Sequence, residues 1–549
     1  MRLRNLANAL LLSIHTAAAV AVAAATDSSS TSNSNSHGGE SPWIGWGGNI
    51  FNNRWASTNT RISSRNINTA TIQCKIPVTG GVSASPTIID GIAYYPVWDG
   101  TIVALNYKTC TPKWTTDIKP VMLSYGTRTP AQAAIVVLAS RSSIVVDTTR
   151  RIIYFTTQTY ALVVVADLDT GRVLASKQLN KHPLAQITAT GTLVDDVFFV
   201  GVSSAEENIV AFTTNYTCCS FVGNAAAVKF SRSGPQGPRL TLLWSVDTLP
   251  ADDPRDPGTW SGVGVWGSAP PVDLARNLVF FATGNVYSVP DRYVACTASP
   301  RQPGCLPERV WQESVLAFDM TTGKLRWIRR LGALDAWVVA CTTGPTGAAL
   351  CPFTPGPDAD FGMAPTFVPG GGRNKKDVLV IGQKDGVLWN LAAATGEIEW
   401  STVVGPSGTA GGLSWGVSVD SSRVYFTVIN NLKTAWRPLP ANDTVITNSA
   451  YGSVLLSNGA VVYETPAPRN LSAVGPPTVV GDIVLSSYGV LTANQGGFVV
   501  TNKATGAILW ELPLDAYLQS GISVSGNNIF FGTGYHAVYS GFFYVLSVS

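Results

Sequence analysis

An apolar strand, a tight turn and a second strand ending in tryptophan recur along this chain, and one such unit cannot bury its own apolar face. The unit is clearest at Ser314-Val-Leu-Ala-Phe-Asp-Met-Thr-Thr-Gly-Lys-Leu-Arg-Trp327. It returns at 101–114, 387–400 and 498–510, ending in Trp114, Trp400 and Trp510, while 164–174 carries it without the tryptophan and 240–244 keeps only its end. Thr-Gly supplies the turn, because glycine accepts a positive φ without steric cost. A tryptophan at a fixed offset can wedge between neighbouring units.

Repetition on this scale implies a stacked or radial array, which lets a chain of 549 residues remain one body. Similar openings fall at Ser85, Ser143, Ile187, Trp266, Phe361, Gly412, Leu471 and Ser520. Eight openings with four strands each predict an all-β fold, an eight-bladed β-propeller of four-stranded antiparallel blades occupying residues 42–549. The last unit ends without its own Thr-Gly…Trp segment, so a strand near Ile72-Gln-Cys-Lys-Ile76 is expected to complete it and latch the ring. Charged residues make up only 13% and the formal net charge is +3, which argues against nucleic acid or an anionic membrane surface as partner.

Residues 1–25 read as a secretory signal, with Arg2 and Arg4 ahead of a weakly apolar run that ends in small residues. Residues 26–41 are Ser/Asn-rich and read as a disordered spacer. No later stretch has the roughly 18 uninterrupted apolar residues a membrane span needs. The eight cysteines of an exported chain read as paired: Cys341 with Cys351 and Cys296 with Cys305 would close short loops, Cys74 with Cys110 is plausible, and Cys218-Cys219 is a vicinal pair. No C-x-x-C-H is present, which excludes a covalently attached c-type haem. Sequons at Asn215, Asn442 and Asn470 fit glycosylation and an extracellular destination.

Long insertions at 208–227, 288–312, 338–358 and 432–451 lie outside the strand pattern, and loops of that length usually form or cover a site. Two further segments stand out, Trp43-Ile-Gly-Trp-Gly-Gly-Asn-Ile-Phe-Asn-Asn-Arg-Trp55 and Pro357-Asp-Ala-Asp-Phe-Gly-Met-Ala-Pro365. With the Thr-Gly…Trp repeats, they make the chain from about Pro42 onward resemble the quinoprotein alcohol dehydrogenases, most nearly their polyvinyl-alcohol-dehydrogenase-like branch. The resemblance implies pyrroloquinoline quinone and calcium as cofactors on the propeller axis.

It also implies roles for particular residues. Glu206, closing Val200-Gly-Val-Ser-Ser-Ala-Glu206, falls on a metal ligand of the family, and a carboxylate suits a hard cation. Asn285 after Phe281-Ala-Thr-Gly falls on a second ligand, and Trp266 on the residue beneath the flat cofactor ring. Lys384 in Ile381-Gly-Gln-Lys-Asp-Gly-Val-Leu-Trp389 falls on a cation that reaches a quinone oxygen; blade one has Trp98 at the same place. The family's Asp-x-Trp-Asp is interrupted here. Asp335-Ala-Trp337 precedes an insertion holding Cys341 and Cys351, and Asp358-Ala-Asp360 follows it. Counting back from Pro365 places Asp358 on the general base and on the metal, with Asp360 as the second acid ligand.

The expected activity is therefore oxidation of a small-molecule or polymeric alcohol, with an electron acceptor of unspecified kind. Four histidines, and no Ser-His-Asp or zinc-ligand spacing, offer no other enzymatic site. The alternative is a non-catalytic secreted propeller that binds a protein or polysaccharide partner.

Overall fold

The alternating repeat at 101–114 pairs as a hairpin, with Thr101–Asn106 antiparallel to Thr111–Asp117 and Ala104 opposite Trp114. In the computed structural model, which describes residues 41–549 apart from 214–215, 235–236, 250–259, 343–349, 353 and 441–442, this unit recurs around a ring. Residues 1–40, on which the expected signal and nearly all of the expected spacer fall, and Asn215 and Asn442 lie outside the described residues. Eight antiparallel sheets form blades 1 to 8, at 87–117, 145–178, 192–247, 272–330, 366–403, 418–466, 478–514 and 523–547. Within a blade the strands follow chain order, from a buried first strand such as Thr87–Ile89 to a half-exposed fourth such as Thr111–Asp117.

Blade 8 supplies only three strands of its own, and the predicted latch completes it. Thr71–Val78 pairs antiparallel with Gly541–Ser547, and the Cys74–Cys110 disulfide ties this latch to the outer hairpin of blade 1. The other expected pairings, Cys218–Cys219, Cys296–Cys305 and Cys341–Cys351, are also formed. Among the described residues no helix is long and apolar enough to cross a membrane.

The tryptophans do what their spacing implies. The indole N–H of Trp114 donates to Leu168 O at 3.1 Å, Trp244 to Met320 O at 2.9 Å, Trp327 to Ala393 O at 3.1 Å and Trp400 to Leu456 O at 2.8 Å. Each bond reaches the Thr-Gly or Asn-Gly turn of the next blade. A Cβ on Gly171, Gly323, Gly396 or Gly459 would fall within 2.6 Å of the docked ring, so the ring and the side-chain-free turn fit only as a pair. Tyr463 takes this place in blade 6, against Gly506. Trp510 packs on the cluster shared by blades 7 and 8.

The segment Trp43–Trp55 runs across several blades and ties them together. The buried Arg54 guanidinium donates to Ser85 Oγ at 3.0 Å, Pro477 O at 2.9 Å, Thr478 Oγ1 at 2.8 Å and Ile522 O at 3.0 Å. Asn52 reaches Ser268 and Pro365, each at 3.1 Å. Burial lowers the Arg54 pKa to about 9, and neutral oxygens satisfy its donors.

Candidate active site

Residues just beyond the ends of several second strands gather at one cavity. Val197–Ser204 leads to Glu207, Leu278–Ala282 to Tyr287, and Val378–Gly382 to Lys384. The cavity holds about 250 Å³, and Glu207, Trp266, Tyr287, Trp337, Asp358 and Lys384 line it.

A lysine bridging two carboxylates organises it. Lys384 Nζ lies 2.7 Å from Asp358 Oδ1 and 3.4 Å from Asp360 Oδ2, and 5.2 Å from the centroid of the Trp266 ring. All three charged groups are buried. Burial alone would lower the lysine pKa, but Asp358, Asp360 and Glu207 together hold it above its ordinary value. Burial pushes the Asp358 carboxyl well above the usual carboxylate range, opposed by the Lys384 ammonium. Asp358 Oδ2 is buried with no hydrogen-bond partner, so the second oxygen of this carboxylate is left for a ligand.

Asp358 reaches this place through a turn that another acid holds. Its φ is +59°, in the left-handed region that aspartate tolerates better than most residues. Asp335 Oδ2 accepts the Ala359 N–H at 2.7 Å and Asp335 Oδ1 accepts the Asp358 N–H at 3.4 Å. Gly356 lets the chain pass close by, since a Cβ there would sit 1.9 Å from Asp335 Oδ1. The insertion between them is closed by Cys341–Cys351, and its two stems meet where Gly356 N donates to Ala336 O at 3.0 Å. Trp337 and Asp358, separated in sequence by the insertion, therefore line the same cavity.

Asp360 departs from the expectation that it ligates a metal. Its Oδ1 accepts the Asn285 N–H at 2.5 Å and its Oδ2 accepts the Trp266 indole N–H at 3.1 Å, so both oxygens are engaged by the protein. It steadies Trp266 and Lys384 from behind the cavity wall. Gly284 permits this approach, because a Cβ there would meet Asp360 Oδ1 at 2.7 Å. Asn285 is buried beside them, its amide donating to Val286 O at 3.0 Å and Trp337 O at 2.8 Å.

Glu206 also departs from expectation. Its carboxylate is fully buried and accepts from Tyr216 Oη at 2.8 Å, Ser220 N at 3.0 Å and Phe221 N at 2.8 Å. Burial would raise its pKa, but His182, the Phe221 N–H and Tyr216 hold it below its ordinary value. It anchors the loop carrying Cys218–Cys219. Glu207 takes the cavity position instead, because both lie on a one-turn helix, Glu206–Ile209, where successive side chains diverge by about 100°. Burial, and then the Asp360 charge, raise the Glu207 pKa to about 8, with Lys384 opposing.

Sequence reading missed other lining residues. Arg141, whose guanidinium lies 4.9 Å from the centroid of the Trp415 ring, and Trp415 itself belong to connecting segments without motif character. The doublet Glu206-Glu207 was the one signal that the register could move by a residue.

Among the described residues no group of three or more His, Cys, Asp or Glu side chains is disposed to hold a metal ion. Of the cavity lining, Glu207 and Asp358 are the oxygen donors a hard cation would draw on. The unpartnered Asp358 oxygen and the Trp266 face beside an ammonium fit calcium and a flat, anionic quinone.

No family-level sequence profile matches the chain. By sequence it is 26% identical over 495 residues to a polyvinylalcohol dehydrogenase of Pseudomonas sp, covering 85% of this chain and 67% of the relative. It is 24% identical over 513 residues to a polyvinylalcohol dehydrogenase of Sphingopyxis sp. (strain 113P3), covering 90% and 70%. By structure it is similar to the quinohemoprotein alcohol dehydrogenase of Comamonas testosteroni, with TM-score 0.65 and 15% identity over 92% of this chain and 80% of the other. A europium-containing methanol dehydrogenase gives TM-score 0.65 and 15% identity over 92% and 98%. The fold is thus the eight-bladed propeller of the quinoprotein dehydrogenases. In sequence the chain is similar to polyvinylalcohol dehydrogenases over most of its length, and in fold to alcohol and methanol dehydrogenases.

Proposed function

We propose that this protein is an exported oxidoreductase that oxidises an alcohol, with pyrroloquinoline quinone as hydride acceptor and calcium beside it. The observation that carries the reading is Asp358, which holds Lys384 through one oxygen and keeps the other, unpartnered, for the cavity. The polyvinylalcohol dehydrogenases among its relatives support an alcohol as substrate, and the four disulfides support passage through an oxidising compartment.

Glu207 and Asp358 would hold the cation, while Trp266 and Lys384 would hold the quinone. When bound, the quinone supplies the acceptor for the hydride that leaves the carbinol carbon. The protein contributes the proton transfer and the geometry. Asp358 Oδ2, the oxygen not engaged by Lys384, would accept the hydroxyl proton as the carbonyl forms. Lys384 keeps Asp358 oriented and presents positive charge where negative charge develops on the acceptor. Asp360 fixes both Lys384 and the Trp266 plane, and Tyr287 and Trp337 form part of the wall.

The test is reconstitution. Purified protein loaded with pyrroloquinoline quinone and calcium is expected to reduce an artificial dye acceptor when an alcohol is added. Quinone binding without reduction by any alcohol in a broad panel would instead favour a propeller that has lost catalysis.

A further inference from the structure

Against the polar cavity lies a second chamber of about 490 Å³, which shares Arg141, Gln186 and Asn208 with the first. Its remaining surface is mainly apolar and aromatic, with Trp98, Ile135, Ala205, Phe212, Tyr535 and His536. Trp98 follows the second strand of blade 1, the position that Lys384 occupies in blade 5, so ring symmetry puts an indole on this side where the other side has a cation. The indole is buried, its N–H donates to Ser83 Oγ at 2.9 Å, and it packs against Tyr535 and His536 with centroids 5.3 and 5.1 Å away. Burial, and then Arg141, lower the His536 pKa, so this wall is uncharged at neutral pH. At the rim Phe212 is 71% exposed.

The boundary between the chambers is polar. The Arg141 guanidinium donates to Tyr535 Oη at 3.3 Å and covers the Trp415 ring of the first cavity, so one side chain serves both. A molecule spanning the two would keep a hydroxyl on the polar side and a hydrocarbon part on the other. We infer that the second chamber binds the hydrocarbon part of the substrate, so that the preferred substrates are alcohols with an extended apolar chain and not methanol or a sugar. The inference rests on the reading of the first cavity as an alcohol site.

The experiment uses purified full-length protein and a series of primary alcohols from ethanol to octanol. Binding is followed by calorimetry, and kcat/KM by dye reduction after loading with the quinone and calcium. Each added methylene is expected to tighten binding about threefold to fourfold until the chamber fills. Ala134 lines the chamber from an exposed position on the helix Pro130–Ile135, so Ala134→Trp fills it without entering a core. That variant is expected to bind ethanol as the wild type does and to lose the gain with chain length. Phe212→Ala is expected to weaken octanol severalfold, and Phe212→Leu to restore most of the loss. A wild type with no chain-length dependence, or a dependence that survives Ala134→Trp unchanged, overturns the inference. A binding slope in a protein that oxidises none of the series supports the chamber and removes the oxidation reading; turnover without a slope does the reverse.

Discussion

The backbone N–H of Ala359 donates to Asp335 Oδ2 at 2.7 Å, which makes Asp335 the support of the turn that carries Asp358. Asp335 is also buried, and its own N–H donates to Gln312 Oε1 at 3.0 Å. Asp335→Asn keeps one acceptor and loses the charge. It is expected to lower unfolding free energy by about 1–3 kcal/mol and to reduce kcat less than Asp358→Asn does. Denaturation midpoints and turnover on the same preparations check this. Abolished turnover at unchanged stability would assign the base to Asp335.

The two neighbouring glutamates are expected to separate cleanly. Glu206→Gln weakens a fully buried carboxylate that holds Tyr216, Ser220 and Phe221, so Tm falls with or without calcium. Glu207→Gln lines the cavity, so it is expected to spare the metal-free Tm and to shrink the rise in Tm that calcium produces through preferential binding to the folded state. Calorimetric scans across a calcium series read both. A calcium response lost in Glu206→Gln and intact in Glu207→Gln would reverse the assignment.

Much of the ring was legible because its signals are local and repeated. Trp114, Trp327 and Trp400 sit at a fixed distance from a turn, and that distance is what delivers each indole to the next blade. Tyr463 does the same work in blade 6 without being a tryptophan, because the position requires an aromatic ring against the turn glycine, here Gly506. The site was less legible. Asp358 could be placed by counting from the strand that follows it, since the disulfide-closed insertion leaves that spacing intact. Glu206 could not be told from Glu207, because one helical position rotates a side chain from the core to the cavity. The apolar chamber had no periodic signal, since Arg141, Phe212 and Tyr535 come from connections that the repeat does not specify.

Away from the site, Glu464 provides a pH dependence with a definite sign. Burial raises its pKa from the ordinary 4.5 to about 8, partly offset by the Leu439 N–H, which donates to Oε2 at 2.5 Å. The folded state therefore keeps a proton that the unfolded chain has already released. Its stabilising contribution is fully present below about pH 4.5 and is lost as pH rises through about 8. Glu464→Gln, which mimics the neutral acid, is expected to flatten this slope. Guanidinium denaturation at about pH 5 and about pH 9 measures it, and an unchanged slope in the variant would remove Glu464 as its source.

The measurement closest to the centre of this account is the turnover of Asp358→Asn, loaded with pyrroloquinoline quinone and calcium and compared with wild type at saturating alcohol. Because the second oxygen of Asp358 is read as the proton acceptor, kcat is expected to fall about 10²–10⁴-fold while quinone affinity stays nearly unchanged. A variant that binds the quinone and turns over at the wild-type rate would contradict the account.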